Sequence, residues 1–167
     1  MYVKKGAQRI MAEQMTQAGY DALNEELKKL NKIRNNEIPE RIRDAKAYGD
    51  LSENAEYESA KEDQGNLEDR IAILQKKIRE AEVIRDEDVS DDHVGIGTTV
   101  KLKDVIRGEE VIYDIVGDTE SDPFEGKLSS ESIVGRNLLG RNVGDVVHFS
   151  VPAGDAKYEI MSISKTR

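Results

Sequence analysis

The sequence predicts an α+β protein in which an N-terminal antiparallel coiled-coil helical hairpin is followed by a small antiparallel-sheet domain with one short helix. Three observations carry that expectation. Two long, highly charged stretches each hold an apolar stripe stepping by three and four residues; a polar, Asp-rich segment follows; and four short β-branched segments come after it.

Residues 1–13 hold Lys4, Lys5 and Arg9 but no apolar run of signal-peptide length, and they are expected to be a disordered extension, with Met11 or a nearby codon as an alternative start. The hairpin is expected over residues 14–87. Tyr20, Leu23, Leu27 and Leu30 begin the first stripe, continued less regularly by Ile33 or Arg34, Ile38, Ile42 and Ala45. From Tyr20 to Ala45 a helix rises roughly 39 Å at about 1.5 Å per residue. Pro39, in "NEIPERI", removes a backbone donor and crowds the preceding turn, so a kink or local break is expected near residues 35–39. Leu67, Ile71, Leu74, Ile78 and Ala81 form the second stripe, which extends backwards near Gln64, Ala60 and Tyr57. Two stripes of similar length on either side of a short turn bury each other in antiparallel fashion, with the tip near residues 48–54.

From Asp88 the pattern changes. "DEDVSDDHVGIG" reads as a linker, assigned to residues 88–97. Residues 98–105, 109–117, 145–151 and 157–163 alternate as strands of a sheet with one buried face. Between the second and third of them, a short helix is expected from about Ser130 to Asn137, capped by Ser129 or Ser130 with Glu131 near its start.

Composition narrows the function. A net charge of -9 argues against whole-surface binding of duplex nucleic acid, which needs clustered Lys and Arg. The chain has no cysteine, which excludes disulfides, thiolate metal sites and cysteine nucleophiles. No segment approaches the roughly 18 apolar residues of a membrane span, and a cytoplasmic monomer is expected. His93 and His148 lie far apart and lack a metal-ligand spacing.

The turn, "AYGDLSENAEY", raises two readings. Gly49 suits the position just beyond a helix, where a left-handed backbone is needed. In one reading Asp50 is the N-cap of the second helix and Glu53, three residues on, completes a capping box, with Ser52 a competing cap. In the other, Asp50 and Glu53 face outward and share one hard cation. Two carboxylates do not fill the coordination shell of Mg²⁺, so such a tip would be half of a site completed by a partner.

"GDLSENAEY", with "EIPERIRDAKAY" before it and "AKEDQGNLEDRI" after it, resembles the tip and flanks of the GreA family of bacterial transcript cleavage factors. "IVGDTESDP", "GKLSSESIVGRNLLGRNVGDVV" and "YEI" resemble that family's C-terminal domain, so the likeness covers residues 14–165. The resemblance implies an FKBP-like polymerase-binding domain over residues 98–167. It also implies a coiled coil inserted through the secondary channel of bacterial RNA polymerase to reach a backtracked transcript. Asp50 and Glu53 would then help hold a Mg²⁺ shared with the polymerase active site, with no cofactor stably bound by the chain alone. The nascent RNA 3′ end would be an indirect partner. Polymerase would be the catalyst, and the chain alone would have no activity.

Gly49, Leu51, Ser52, Asn54 and Tyr57 are the expected tip supports. Arg41, Lys46 and Lys61 align with a basic patch near extruded RNA, with Arg43 nearby; yet residues 40–64 hold four basic and eight acidic side chains, which also reads as a solvated surface. Asp122, Pro123, Ser129, Ser132, Ile133 and Arg136 are expected near the polymerase contact. Ile133 stands where the family usually carries proline, which leaves the local backbone to be determined. Rival functions are a channel-binding inhibitor of polymerase, a coiled-coil chaperone, and a prolyl isomerase, the last poorly supplied with two Phe and no Trp.

Overall fold

Apolar spacing in the first half of the chain produces the helices, and their ends follow local chemistry. A computed structural model describes residues 12–49 and 54–167. Strand β1 (Gln14–Thr16) leads into α1 (Gln17–Lys32), a π-helical turn (Ile33–Glu37), α2 (Ile38–Ala47) and, beyond the turn, α3 (Ala55–Glu80). The start of α1 is capped by Thr16, whose hydroxyl accepts the Gly19 N–H (3.1 Å). Glu120 accepts the N–H of Thr16 in turn (2.8 Å).

Pro39 explains the π turn. A regular helix would aim the Asn35 carbonyl at a proline that lacks an N–H, and the ring would press on that carbonyl. Instead the Ile38 N–H bonds the Ile33 carbonyl, five residues back, and the backbone passes through in right-handed helical geometry. The irregularity expected at residues 35–39 is therefore a widened turn just before the proline.

Ile38, Ala45, Ala60, Ile71 and Leu74 are buried along the facing stripes. Ion pairs link the helices in antiparallel order: Arg70 with Glu26 (2.7 Å), Arg34 with Glu68 (3.6 Å), and Arg41 with both Asp63 (2.6 Å) and Glu56 (3.3 Å). Such exposed pairs contribute at most about 1 kcal/mol each, so they set register more than stability. Gly65 in α3 has open space where a Cβ would sit. Gly65→Ala is expected to stabilise the hairpin by about 1 kcal/mol through helix propensity alone. Thermal unfolding should show a rise of roughly 2–4 °C; a fall would mean that a contact at this position has been overlooked.

After α3 come β2 (Glu82–Ile84), β3 (Thr98–Asp104), β4 (Glu110–Val116), β5 (Lys127–Ser129), α4 (Ile133–Leu138), β6 (Val146–Val151) and β7 (Gly154–Lys165). The five-stranded sheet runs β5-β4-β3-β7-β6, antiparallel except for the parallel β4–β5 pair, and β1 pairs with β2 in parallel. Alternate residues supply the core: Val100 and Leu102 from β3, Val147 and Phe149 from β6, with Ile115, Ile160 and, from α4, Leu138.

The chain divides into two compact units, Tyr20–Glu80 and the described residues before Tyr20 together with Ala81–Arg167. Three expectations are corrected here. Residues 14–19 and 81–87, expected within the hairpin, fall in the same compact unit as the five-stranded sheet, where β1 and β2 pair with each other as a separate two-stranded sheet. The segment expected as a linker, 88–97, is packed: Val89 and Val94 are buried, and Val94 exchanges backbone hydrogen bonds with Gly140 and Arg141 (2.8 Å each). Strands β1, β2 and β5 were not expected, since three residues are too few to display a period. Among the described residues no helix is long and apolar enough to cross a membrane.

Candidate functional site at the hairpin tip

The end of α2 is closed by backbone bonds from Tyr48 N–H to the Ala45 carbonyl (3.3 Å) and from Gly49 N–H to the Lys46 carbonyl (3.4 Å). Gly49 then takes φ = 107°, a conformation open to glycine and strained for other residues, as its expected place beyond the helix requires. Asp50, Leu51, Ser52 and Glu53 lie outside the described residues.

The other side of the tip is organised by Asn54. Its Oδ1 accepts the Tyr57 N–H (3.1 Å), the N-cap bond of α3, and its Nδ2 donates to the Ala45 carbonyl at the end of α2 (2.6 Å). One amide thus satisfies a donor at one helix start and an acceptor at the opposing helix end. The caps weighed from the sequence were Asp50 and Ser52, but the backbone N–H that an N-cap would take is bonded to Asn54. The Tyr57 N–H is thus capped without either carboxylate. Tyr57 is half-buried, and Tyr48, which the sequence reading passes over, stands 84% exposed beside Gly49. An aromatic directly before the tip glycine was the available signal.

The basic candidates differ in their surroundings. Arg41 is held within the hairpin by Asp63 and Glu56, which also raise its pKa, hydrogen bonding to Asp63 being the largest cause. Lys61 donates to Gln64 Oε1 (2.8 Å), and Lys46 and Arg43 are exposed on α2.

In the sheet domain, Asp122 accepts the Phe124 N–H (2.9 Å) and starts a tight turn, Pro123–Glu125, that leaves the Phe124 side chain fully exposed. Ser129 is buried and donates to Asp118 (2.8 Å). Ser132, rather than Ser129 or Ser130, caps α4: its Oγ accepts the Gly135 N–H (3.0 Å) and donates to the Ser129 carbonyl (2.7 Å). Both expected docking serines thus have hydrogen-bond partners within the domain, whereas Ile133 is half-exposed and Arg136 reaches Glu131 at the surface (3.0 Å).

Ile133 occupies the first position of α4, and Ser132 before it is extended (φ = −64°, ψ = 161°). A proline fits both requirements, needing no N–H there and an extended predecessor. Ile133→Pro is therefore expected to keep the fold and raise stability by about 0.4–1 kcal/mol. Lowered thermal stability in the variant would show that the Ile133 side chain or N–H matters more than the backbone.

No cluster of three or more His, Asp or Glu suited to a metal ion occurs among the described residues. Asp50 and Glu53 themselves are hard oxygen donors of the type Mg²⁺ prefers, too few to enclose it without ligands from elsewhere. His93 and His148 are exposed and belong to neither region.

The family profile "Transcription elongation factor, N-terminal" matches residues 13–83, and "Transcription elongation factor, GreA/GreB, C-term" matches residues 89–165. The chain is 48% identical to transcription elongation factor GreA of Clostridioides difficile over 151 residues, covering 90% of this chain and 95% of that one. It is likewise 48% identical to the GreA of Thermoanaerobacter pseudethanolicus, covering 90% and 96%. Among solved structures, GreA factor homolog 1 of Thermus thermophilus is 27% identical, covering 91% of this chain and 98% of that one, with a TM-score of 0.41.

Proposed function

Because the chain belongs to the GreA/GreB family of transcription elongation factors, we propose that it acts on RNA polymerase halted on a backtracked transcript, presenting Asp50 and Glu53 at the hairpin tip to the polymerase active centre. There the two carboxylates stimulate hydrolysis of the extruded RNA. The observation that supports this reading is the cap: Asn54 accepts the Tyr57 N–H and donates to the Ala45 carbonyl, so neither of those bonds calls on the acids.

Hydrolysis of a phosphodiester forms a bond from a water oxygen to phosphorus and breaks the bond from phosphorus to the departing ribose oxygen, which takes up a proton. Asp50 and Glu53 supply anionic oxygens that would hold a cation jointly with the polymerase and would accept a hydrogen bond from the attacking water, orienting it. Mg²⁺, when bound there, supplies Lewis acidity toward phosphate and water. The chain alone is expected to cleave nothing, since two carboxylates leave most of the roughly six positions around Mg²⁺ unfilled. The 26 residues of α3 span about 39 Å, a length suited to reaching a recessed centre. Docking falls to the sheet domain, through the segments carrying Asp122, Pro123, Ile133 and Arg136. Phe124 and Ile133 offer exposed apolar contact there, and Ser129 and Ser132 hold the backbone.

The test is a stalled elongation complex with end-labelled RNA, incubated with Mg²⁺ and the protein. Shortened RNA is expected only when protein and polymerase are both present. Binding without shortening would move the assignment to a channel-occupying inhibitor.

A further inference from the structure

We propose that Asn54 is a positioning residue for the tip carboxylates, acting as a molecular staple whose amide fixes the end of α2 against the start of α3. This rests on the reading above that Asp50 and Glu53 are the delivered groups. The four residues 50–53 are tethered at Gly49 and Asn54, so whatever sets the separation and orientation of those tethers sets the frame in which both acids are presented.

The chemistry of the staple is specific. An asparagine side chain carries an acceptor and two donors on one short, planar group. Here the acceptor meets the Tyr57 N–H at 3.1 Å and the donor side meets the Ala45 carbonyl at 2.6 Å, bridging residues nine apart. Aspartate and serine cap helices about as well as asparagine. Aspartate, however, has no N–H for the carbonyl and would set an anionic oxygen against it, and serine is too short to serve both ends. A plain N-cap needs only the Tyr57 bond; the second bond, across to the other helix, is what capping does not explain. The flanking packing agrees: Ala45 and Ala60 are both fully buried, with methyl side chains that allow the two helices to approach closely beneath the tip.

A productive metal-assisted site tolerates displacements of only about 0.5 Å in its ligands. Losing the bridge should therefore lower the rate of the bound complex more than the affinity of the factor for it. Binding resides elsewhere in the chain, and α3 keeps its cap.

The experiment compares the full-length protein with Asn54→Ser and Asn54→Asp. In the stalled-complex assay, both variants are expected to lose about tenfold or more in cleavage rate at saturating factor. Half-saturating factor concentration should stay within about twofold, and helix content should remain that of the unaltered protein. The Mg²⁺ concentration for half-maximal cleavage should rise in both. Separately, nitroxide labels at Lys46 and Glu58, on opposite sides of the tip, should give a narrow distance distribution in the unaltered protein and a broader one in both variants, without polymerase present. Unchanged saturating rates in both variants, or an unchanged label distribution, would overturn the staple and leave Asn54 an ordinary cap. If the unaltered protein stimulates no cleavage, the reading of the tip acids fails, and the label distances still decide whether Asn54 holds the two helices together.

Discussion

Asp50→Asn and Glu53→Gln should each leave the protein folded and bound to a stalled elongation complex while removing most of its ability to shorten the transcript. The expected loss is about two orders of magnitude in rate at saturating factor, since even the outer-shell partners of a metal site cost roughly 10–100-fold when changed. An amide is nearly isosteric with a carboxylate, but it is neutral, and its carbonyl oxygen is a poorer donor to a hard cation than an anionic one. Folding should be indifferent, because the cap bond to Tyr57 N–H and the bridge to the Ala45 carbonyl both come from Asn54. Matched polymerase occupancy, checked by co-migration of factor and complex, separates loss of chemistry from loss of binding. Parallel loss of binding, helicity and cleavage would show instead that the acids support the tip.

Gly135→Ala should destabilise the sheet domain by about 1–3 kcal/mol, although helix propensity alone favours alanine by about 1 kcal/mol. Gly135 lies in α4, where an added Cβ would fall 2.1 Å from the Ser129 carbonyl oxygen and 3.0 Å from the Ser130 Cα. Those are backbone atoms, and Ser129 is tied to Asp118 and Ser132, so the strain is not relieved by a side-chain rotation. Relief requires α4 to move away from β5, which would loosen Leu138 in the core and shift Ile133 in the segment assigned to docking. Denaturant unfolding should report the lost stability, and half-saturation in the stalled-complex assay should weaken with it. A variant as stable as the unaltered protein would mean that α4 is less constrained than its close approach to Ser129 indicates. Gly65 and Gly135 thus make a pair, both glycines within helices, with opposite expected signs.

Arg41 illustrates how a residue changes meaning between one dimension and three. In the sequence it aligns with a basic patch near RNA. In the fold it faces two carboxylates from α3 that lie 15 and 22 residues further on, which makes it a cross-helix tie. Lys46, one turn closer to the tip, is the better candidate for contact with an extruded strand.

The sequence by itself determined the hairpin and the sheet, and it supplied the tip acids as candidates. The reason is that their signals are local: apolar steps of three and four mark one face of a helix, alternation marks a half-buried strand, and Asp50 and Glu53 sit in a motif read from consecutive residues. The structure's π turn before Pro39 belongs with these, because proline's missing donor and crowding act on its own preceding turn. Only tertiary structure decided that Asn54 caps α3 and ties it to α2, that Ser132 caps α4, that residues 88–97 are packed rather than linking, and that alanine is welcome at 65 and excluded at 135. Each of these depends on which atoms meet once the backbone is placed, whether three residues apart as at Ser132 and Gly135 or far apart along the chain as at Val94 and Gly140, and no local period encodes that choice.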